Sequence, residues 1–151
     1  MQGKIPIFSV QTGTVELVDP IIKTESEWKA ILPKETFEIA RQQATEPAFT
    51  GTYHDSHEDG IFTCACCGTD LFDAQSKFNS GTGWPSFTAP VSTHNVRTAE
   101  DKSHGMVRTE VLCSRCGAHI GHVFPDGPPP TGMRYCMNSA ALKLVKRPAE
   151  K

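Results

Sequence analysis

The chain has 151 residues, a formal net charge of −2, 12 glycines and 11 prolines. This length suits a single domain with a buried core, and the near balance of charge gives no electrostatic support for binding nucleic acid or an anionic membrane. No apolar run in the sequence reaches transmembrane length, and the apolar stretch at the N-terminus is too short for a secretory signal. We therefore expect a cytoplasmic protein with a turn-rich fold.

The first residues carry only weak structural signals. The segment IPIFSVQTGTVELV alternates weakly between apolar and polar side chains, which is compatible with an edge strand and equally with a disordered extension. We treat residues 1–20 as an N-terminal extension, residues 21–147 as the folded domain and residues 148–151 as a C-terminal tail.

The next segment, KTESEWKAILPKETFEIARQQATE, predicts two short helices. Thr24 and Glu27 have the spacing of a capping box, and Trp28 and Ile31 share one face of the helix that would follow. Pro33 is suited to the first position of a second helix. We expect these helices to pack as a flap over a larger domain.

From Phe49 onward, short β-like runs separated by turn residues replace the helical period. Asp59 and Gly60 lie between two such runs and give a strong hairpin signal. The stretch GMVRTEVLC alternates as a strand does, and RYCMNSAALKLVK is predicted to be one final strand. The sequence therefore predicts a mainly β fold of antiparallel sheets, joined by a metal site and preceded by short helices.

Five of the six cysteines fall in two clusters, FTCACCGTDLF and VLCSRCGAHI, and each cluster contains a C-x-x-C pair followed by glycine. Two intervening residues let one chain supply two corners of a tetrahedron, and the glycine turns the backbone away. In a reducing compartment such cysteines are expected to be ligands or catalytic thiols. The spacing predicts one closed, structural Zn²⁺ site per chain, with Cys64, Cys67, Cys113 and Cys116 as its ligands.

Two alternatives remain open for these cysteines. The pairs could be redox-active dithiols of the thioredoxin type, although neither pair precedes a long helix. The run CACC also permits Cys64 with Cys66 as ligands, but the usual spacing favours Cys67. Cys66 would then be a free thiol beside the metal.

Cys136 stands apart from both clusters, in the stretch RYCMNSAAL. A lone cysteine of this kind is often a small buried hydrophobic residue, but its neighbours favour a reactive thiol. Arg134 shares its side of a strand, and a cation beside the sulfur favours the nucleophilic thiolate. Asn138 supplies an amide that can hydrogen-bond to the thiolate or to a substrate.

Further candidates lie upstream of Cys136. The stretch AHIGHVFPDG places His119 and His122 near a turn, with Asp126 able to orient a ring nitrogen. A thiol and histidines together are a candidate nucleophile with an acid–base partner, although simple surface histidines are equally expected. Trp84, flanked by glycine and proline in GTGWPSF, suits a pocket wall as well as a core position.

The motifs GWPSF, HIGHVFPDGP and RYCMNSA, in this order around two C-x-x-C pairs, closely resemble those of the B class of methionine sulfoxide reductases, the methionine-R-sulfoxide reductases. The resemblance covers residues 24–145 and implies that residues 21–147 are the reductase domain. It implies antiparallel sheets joined by a structural zinc. The implied activity is the thiol-dependent reduction of the R epimer of methionine sulfoxide in oxidised proteins or peptides.

By the same resemblance Cys136 is the nucleophile, which ends the reaction as a sulfenic acid. His119 would donate a proton to the sulfoxide oxygen, Arg134 would stabilise the thiolate, and Trp84 would contact the S-methyl group. The resemblance thus implies the catalytic residues Cys136, His119, Arg134 and Asn138 and the substrate-binding residues Trp84, His122 and Asp126.

One position departs from the pattern of the family. Many members carry a resolving cysteine two residues before the tryptophan, where this chain has Thr82. A hydroxyl cannot form a disulfide with a sulfenic acid, so either an external thiol such as thioredoxin reduces Cys136 directly or Cys66 moves to it. We expect direct external reduction, because a thiol beside a metal-held loop is poorly placed to move.

The competing hypothesis is a zinc-joined β scaffold that binds a partner without catalysis. Zinc and β pattern alone are compatible with it, but such a scaffold has no need for Cys136 beside Arg134 and Asn138. A nucleic-acid binder is disfavoured, because the sequence lacks a basic patch interleaved with aromatic residues.

Overall fold

The computed structural model describes residues 3–53, 58–102, 105 and 107–146. These residues form three antiparallel sheets and two short α-helices, with single 3-10 turns between some strands. The mainly β fold with short N-terminal helices is therefore confirmed. The predicted tail, residues 148–151, lies outside the described residues.

An N-terminal hairpin precedes the helices. It consists of β1 (Ile5–Ser9) and β2 (Thr14–Val18). The side chain of Asn95 attaches it to the domain, because its Oδ1 accepts from the Phe8 amide at 2.8 Å and its Nδ2 donates to the Phe8 carbonyl at 2.9 Å. Asn95 is fully buried, so its amide needs these partners.

The two helices form where the capping signals predict them. Helix α1 (Glu25–Ile31) starts at a complete capping box, in which Thr24 Oγ1 accepts from the Glu27 amide and Glu27 Oε1 accepts from the Thr24 amide. Helix α2 (Lys34–Gln42) starts directly after Pro33, which is therefore the N-cap rather than the predicted first helical residue. Trp28 of α1 and Phe37 of α2 are buried in the core, as expected for a flap over the sheets.

The largest sheet has six strands, and it carries the candidate site. The strands are β5 (Lys77–Phe78), β6 (Ser86–Phe87), β7 (Val96–Asp101), β8 (Arg108–Cys113), β9 (His119–Phe124) and β10 (Arg134–Met137). Their order across the sheet is β5-β6-β10-β9-β8-β7.

A three-stranded sheet packs against the larger one. Its central strand β3 (Gly60–Cys64) lies between β11 (Leu142–Lys146) and β4 (Asp70–Asp73). Phe72 of this sheet stacks on Phe87 of the larger one at 4.6 Å, and both side chains are fully buried. The core therefore lies between the two sheets, with aromatic contacts at its centre.

Two predictions about strands are wrong. The Asp59-Gly60 hairpin does not form, because β3 begins at Gly60 and both of its edges pair with strands that follow it in the chain. Residues 134–146 are not one strand either. A 3-10 turn at Ser139–Ala141 separates β10, in the six-stranded sheet, from β11, in the three-stranded sheet.

Candidate active site and metal centre

The two C-x-x-C pairs converge on one cluster. The sulfur atoms of Cys64, Cys67, Cys113 and Cys116 all lie within 4.8 Å of one another. Two of the separations, Cys64 to Cys116 and Cys67 to Cys113, are both 3.6 Å. Zinc–sulfur bonds of about 2.3 Å in a tetrahedron require sulfur atoms about 3.8 Å apart, so the donor set fits such an ion. The convergence of all four sulfurs also disfavours two separate redox pairs.

The glycine after each pair has the conformation that the ligand loop needs. Gly68 has a φ of 81° and Gly117 a φ of 76°, values that side chains disfavour. Their amides donate to the carbonyls of Cys64 and Cys113 at 2.8 Å each, which closes both loops. The cluster therefore joins the end of β3 to the end of β8, and Cys66 lies beside it rather than in it.

Strand pairing defines the face on which the candidate nucleophile lies. Cys136 of β10 is opposite Ser86 of β6 on one side and His122 of β9 on the other. Side chains of directly opposite residues in antiparallel strands share one face of the sheet. Ser86, Cys136 and His122 therefore form a row across the sheet.

A β-bulge brings His119 to the same face as His122. In the β8–β9 ladder Val111 pairs with Gly121 and Leu112 pairs with His119, so Ile120 is the extra residue. In a regular strand two residues three positions apart face opposite sides, and one extra residue reverses this parity. The two imidazole rings are accordingly 5.3 Å apart in an edge-to-face arrangement.

A cavity of about 230 Å³ opens at this face. Five of the seven predicted site residues outside the metal cluster line it: Trp84, His122, Arg134, Cys136 and Asn138. His119 and Asp126 are not among the described residues that line it. Thr45, Thr82, Arg108 and Phe124 also line the cavity and were not predicted as site residues.

The surroundings of Cys136 act on its thiol in opposite directions. Burial raises the pKa of the Cys136 thiol above its ordinary value, and this effect prevails. The positive charge of Arg134 and hydrogen bonds from Thr82 and Ser86 act to lower the same pKa. The predicted influence of Arg134 thus has the right sign, but the burial of Cys136 could not be read from the local sequence.

Asp126 contacts Arg134 rather than a histidine. Arg134 Nε donates to Asp126 Oδ1 at 2.9 Å and Nη2 donates to Oδ2 at 3.2 Å, a bidentate pair. The guanidinium lies over the ring of Phe124, 4.4 Å from its centroid. The guanidinium holds the pKa of the exposed Asp126 carboxyl below its usual value. Asp126 therefore orients the cation beside Cys136.

Each histidine has a different acidic partner, and neither was predicted. His122 Nε2 is 2.8 Å from Asp101 Oδ2, and His119 Nδ1 is 2.8 Å from Glu110 Oε2. Burial lowers the pKa of His122, whereas its hydrogen bond to Asp101 acts to raise it. The alternation in GMVRTEVLC indicates which residues share a face with Glu110. That Glu110 meets His119 depends on the bulge at Ile120 in β9, which the alternation does not predict.

The remaining two predicted residues are held by one loop. Trp84 Nε1 donates to the carbonyl of Glu46 at 2.9 Å. Asn138 Oδ1 accepts from the amide of Glu46 at 3.1 Å, and Asn138 Nδ2 donates to the carbonyl of Ile120 at 3.1 Å. Both ends of the Asn138 amide are thus bonded to main-chain groups, and Glu46 links Asn138 to Trp84.

Comparison with known proteins identifies the family. The model of the SelR domain matches residues 32–146, well over half of the chain. The chain belongs to the SelR domain family. A protein of Herminiimonas arsenicoxydans is 51% identical over 132 residues, which are 87% of this chain and 96% of the relative. A protein of Thiobacillus denitrificans is 58% identical over 122 residues, which are 81% of this chain and 92% of the relative.

A third relative, from Pseudomonas fluorescens, is 53% identical over 130 residues, which are 86% of this chain and 99% of the relative. All three relatives carry the name peptide methionine sulfoxide reductase MsrB. The resemblance to the B class of methionine sulfoxide reductases is therefore confirmed.

In this SelR domain, Thr82 occupies the position that departs from the family pattern. Its Oγ1 is 2.8 Å from Ser80 Oγ, and Ser80 Oγ is 2.9 Å from Ser86 Oγ. The three hydroxyls form a chain from Thr82, which lines the cavity, to Ser86, which is directly opposite Cys136 in the sheet. In the described part of the chain, neither α1 nor α2 has the length and apolarity to cross a membrane.

Proposed function

We propose that this protein reduces the R epimer of methionine sulfoxide in oxidised proteins or peptides, with Cys136 as the nucleophile. The observation that carries the proposal is the meeting of Cys136, Arg134, His122 and Trp84 in one cavity of about 230 Å³. The names of the similar proteins support the substrate class. The cavity suits one side chain rather than a larger ligand.

The proposed reaction transfers one oxygen from sulfur to sulfur. The Cys136 thiolate attacks the sulfur of the substrate, and the sulfoxide oxygen receives a proton because the sulfur is otherwise a poor electrophile. The oxygen then passes to Cys136, which becomes a sulfenic acid, and the thioether of methionine leaves. The substrate sulfur gains two electrons and the Cys136 sulfur loses two, so the step balances without another reactant.

His122 is the proton donor that the geometry favours, whereas the family resemblance pointed to His119. His122 lines the cavity and lies directly opposite Cys136 in the ladder. The Nδ1 atom of His119 is bonded to Glu110, and its Nε2 atom is buried without a partner among the described residues. His119 would then have a packing role, since its ring lies edge-to-face against that of His122 with the ring centroids 5.3 Å apart.

The other lining residues have roles that follow from their contacts. Arg134, fixed by Asp126, would hold positive charge beside the Cys136 sulfur as the thiolate forms. Trp84 is fixed through its indole nitrogen, so its ring offers a rigid apolar surface to the S-methyl group. Asn138 would act on the site through the loop that it holds against Trp84.

We propose that an external thiol, such as thioredoxin, returns Cys136 to the reduced state. Two thiols would convert the sulfenic acid to thiol and water and would themselves form a disulfide. Cys66 lies in the loop between Cys64 and Cys67 of the cysteine cluster, whereas Cys136 lies in β10 between β6 and β9, and none of these three strands contains a cysteine of the cluster. A disulfide needs Cα atoms within about 7 Å, so Cys66 would have to leave the loop that the metal holds, which supports direct external reduction.

We propose Zn²⁺ as the ion of the four-cysteine cluster. Four thiolates leave no open coordination position, which is typical of a structural site. The ion would contribute folding energy by joining β3 to β8. A reducing compartment such as the cytoplasm would keep these six thiols free of disulfides.

An intact mass measured after one turnover tests the proposed function. Reduced, zinc-loaded protein would be mixed with excess N-acetyl-methionine R-sulfoxide in the absence of reductant, with Cys136→Ser and the S epimer as controls. We expect the wild type to gain one oxygen, mapped to Cys136, and to release one equivalent of the thioether. An unchanged mass with no thioether would refute the proposal. A loss of two hydrogens mapped to Cys136 and Cys66 would instead give Cys66 the recycling role.

A further inference from the structure

We propose that Asp101 is a positioning residue that fixes the orientation and tautomer of His122 and so leaves His122 Nδ1 facing the bound sulfoxide. This inference rests on the proposed function, in which His122 donates a proton. Asp101 is the last residue of β7, at the far edge of the sheet from β5, and none of the motifs in the sequence pointed to it.

One carboxylate oxygen of Asp101 contacts both His122 and Arg108. Asp101 Oδ2 is 2.8 Å from His122 Nε2 and 3.3 Å from Arg108 Nη2. Arg108 lies directly opposite Asp101 in the β7–β8 ladder, so the strand pairing itself fixes this contact. The side chains of Asp101 and His122 are only 17% and 10% exposed, which limits competition from water.

The hydrogen bond decides which ring nitrogen carries the proton. An ionised carboxylate only accepts hydrogen bonds, so His122 Nε2 must carry the hydrogen that bonds to Asp101. Nδ1 is then the nitrogen that gains and loses a proton. His119 has the opposite arrangement, because Glu110 holds its Nδ1. The two histidines on one face are therefore held through different nitrogens by different acids.

Asp101 also favours the protonated form of His122, against the other groups around it. To donate a proton from Nδ1, His122 must first be an imidazolium, and its burial and the positive charge of Arg108 both oppose that state. Asp101 acts in the opposite direction through its hydrogen bond and its charge. The groups that face His122 from the packed strands are Asp101 of β7, Arg108 and Glu110 of β8, His119 of β9, and Arg134 and Cys136 of β10.

The test compares Asp101→Asn with Glu100→Gln. Asparagine keeps the size of the side chain but removes the charge, whereas Glu100 is an exposed neighbour on the opposite face of β7. We expect Asp101→Asn to lower kcat/KM for N-acetyl-methionine R-sulfoxide about 10-fold, mostly through kcat. The limb of the pH profile on which activity falls with rising pH should move to lower pH, because the imidazolium is lost earlier. Glu100→Gln should match the wild type in both respects.

A second readout does not depend on turnover. Nitrogen-15 NMR of neutral His122 should show the Nε2–H tautomer in the wild type and a mixture, or the Nδ1–H form, in Asp101→Asn. Zinc content and the thermal unfolding midpoint identify a variant that is simply misfolded. An Nδ1–H tautomer in the wild type would overturn the inference, as would an Asp101→Asn variant with the pH profile and tautomer of the wild type. If the wild type fails to reduce the sulfoxide, the proposed function fails, and the tautomer still decides the role of Asp101.

Discussion

Replacing Asn138 with alanine separates a structural role from a catalytic one. Asn138 is 3% exposed and bonds to two main-chain groups. The carbonyl of Ile120 keeps a partner in the alanine variant, because the main-chain N–H of residue 138 also donates to it at 2.9 Å. The amide of Glu46 loses the Asn138 oxygen that it donates to. Loss of the side-chain hydrogen bond to Ile120 costs about 1 kcal/mol. The buried main-chain N–H of Glu46, left without its acceptor, costs about 1–3 kcal/mol more.

We therefore expect Asn138→Ala to reduce the free energy of unfolding by about 2–4 kcal/mol. The loss should be measured by urea denaturation of the zinc-loaded protein, followed by tryptophan fluorescence and circular dichroism. Asn79→Ala is the matched control, because Asn79 is exposed and its oxygen accepts from the Gly81 amide at 3.0 Å in a surface turn. We expect a change below about 1 kcal/mol for this control. If Asn138→Ala loses activity but unfolds like the control, Asn138 acts directly on the substrate and the structural role is refuted.

Four further predictions concern the metal, the nucleophile, the pocket wall and recycling. Removal of the ion by a chelator should abolish the β circular dichroism signal and activity together, and added Zn²⁺ should restore both. The rate of Cys136 alkylation by iodoacetamide should rise with pH around a midpoint above that of an exposed thiol, because burial raises its pKa, and Arg134→Ala should raise the midpoint further. Trp84→Ala should raise KM for the sulfoxide about fivefold by removing the contact with one methyl group, and Trp84→Phe should raise it less. Cys66→Ser should keep the thioredoxin-supported rate of the wild type, and loss of that rate with an intact first turnover would give Cys66 the resolving role.

Short-range chemistry explains which parts of the fold could be predicted. The capping box at Thr24 and the C-x-x-C pairs place interacting groups within three residues, so the sequence alone specifies them. The Asp59-Gly60 signal was equally local, but the neighbours of β3 come from distant segments. The chain breaks between β10 and β11 because β10 pairs in the six-stranded sheet and β11 pairs in the three-stranded sheet. These pairings are with distant segments, so no local sequence pattern predicts the break.

The same distinction applies to the candidate site. Trp84, His122, Arg134, Cys136 and Asn138 were found because their motifs are specific, and the structure brings them to one cavity. The carboxylates that hold the histidines could not be assigned, because Asp101 and Glu110 reach them only through the pairing of β7, β8 and β9. A shift of one residue in that pairing would turn either acid to the opposite face.

The bulge that places His119 lies between the face of the sheet that carries Cys136 and the four-cysteine cluster. The register shift lies between Val111 and Leu112, and Leu112 immediately precedes Cys113 of the cysteine cluster. The amide of Cys113 donates to the carbonyl of Ala118 at 2.9 Å, which fixes β8 against the start of β9 on the metal side of the bulge. On the other side, Glu110 pairs with His122, directly opposite Cys136. An ion bound to the cysteines would therefore stabilise the register that puts both histidines on the face of Cys136, although none of the four cysteines lines the cavity.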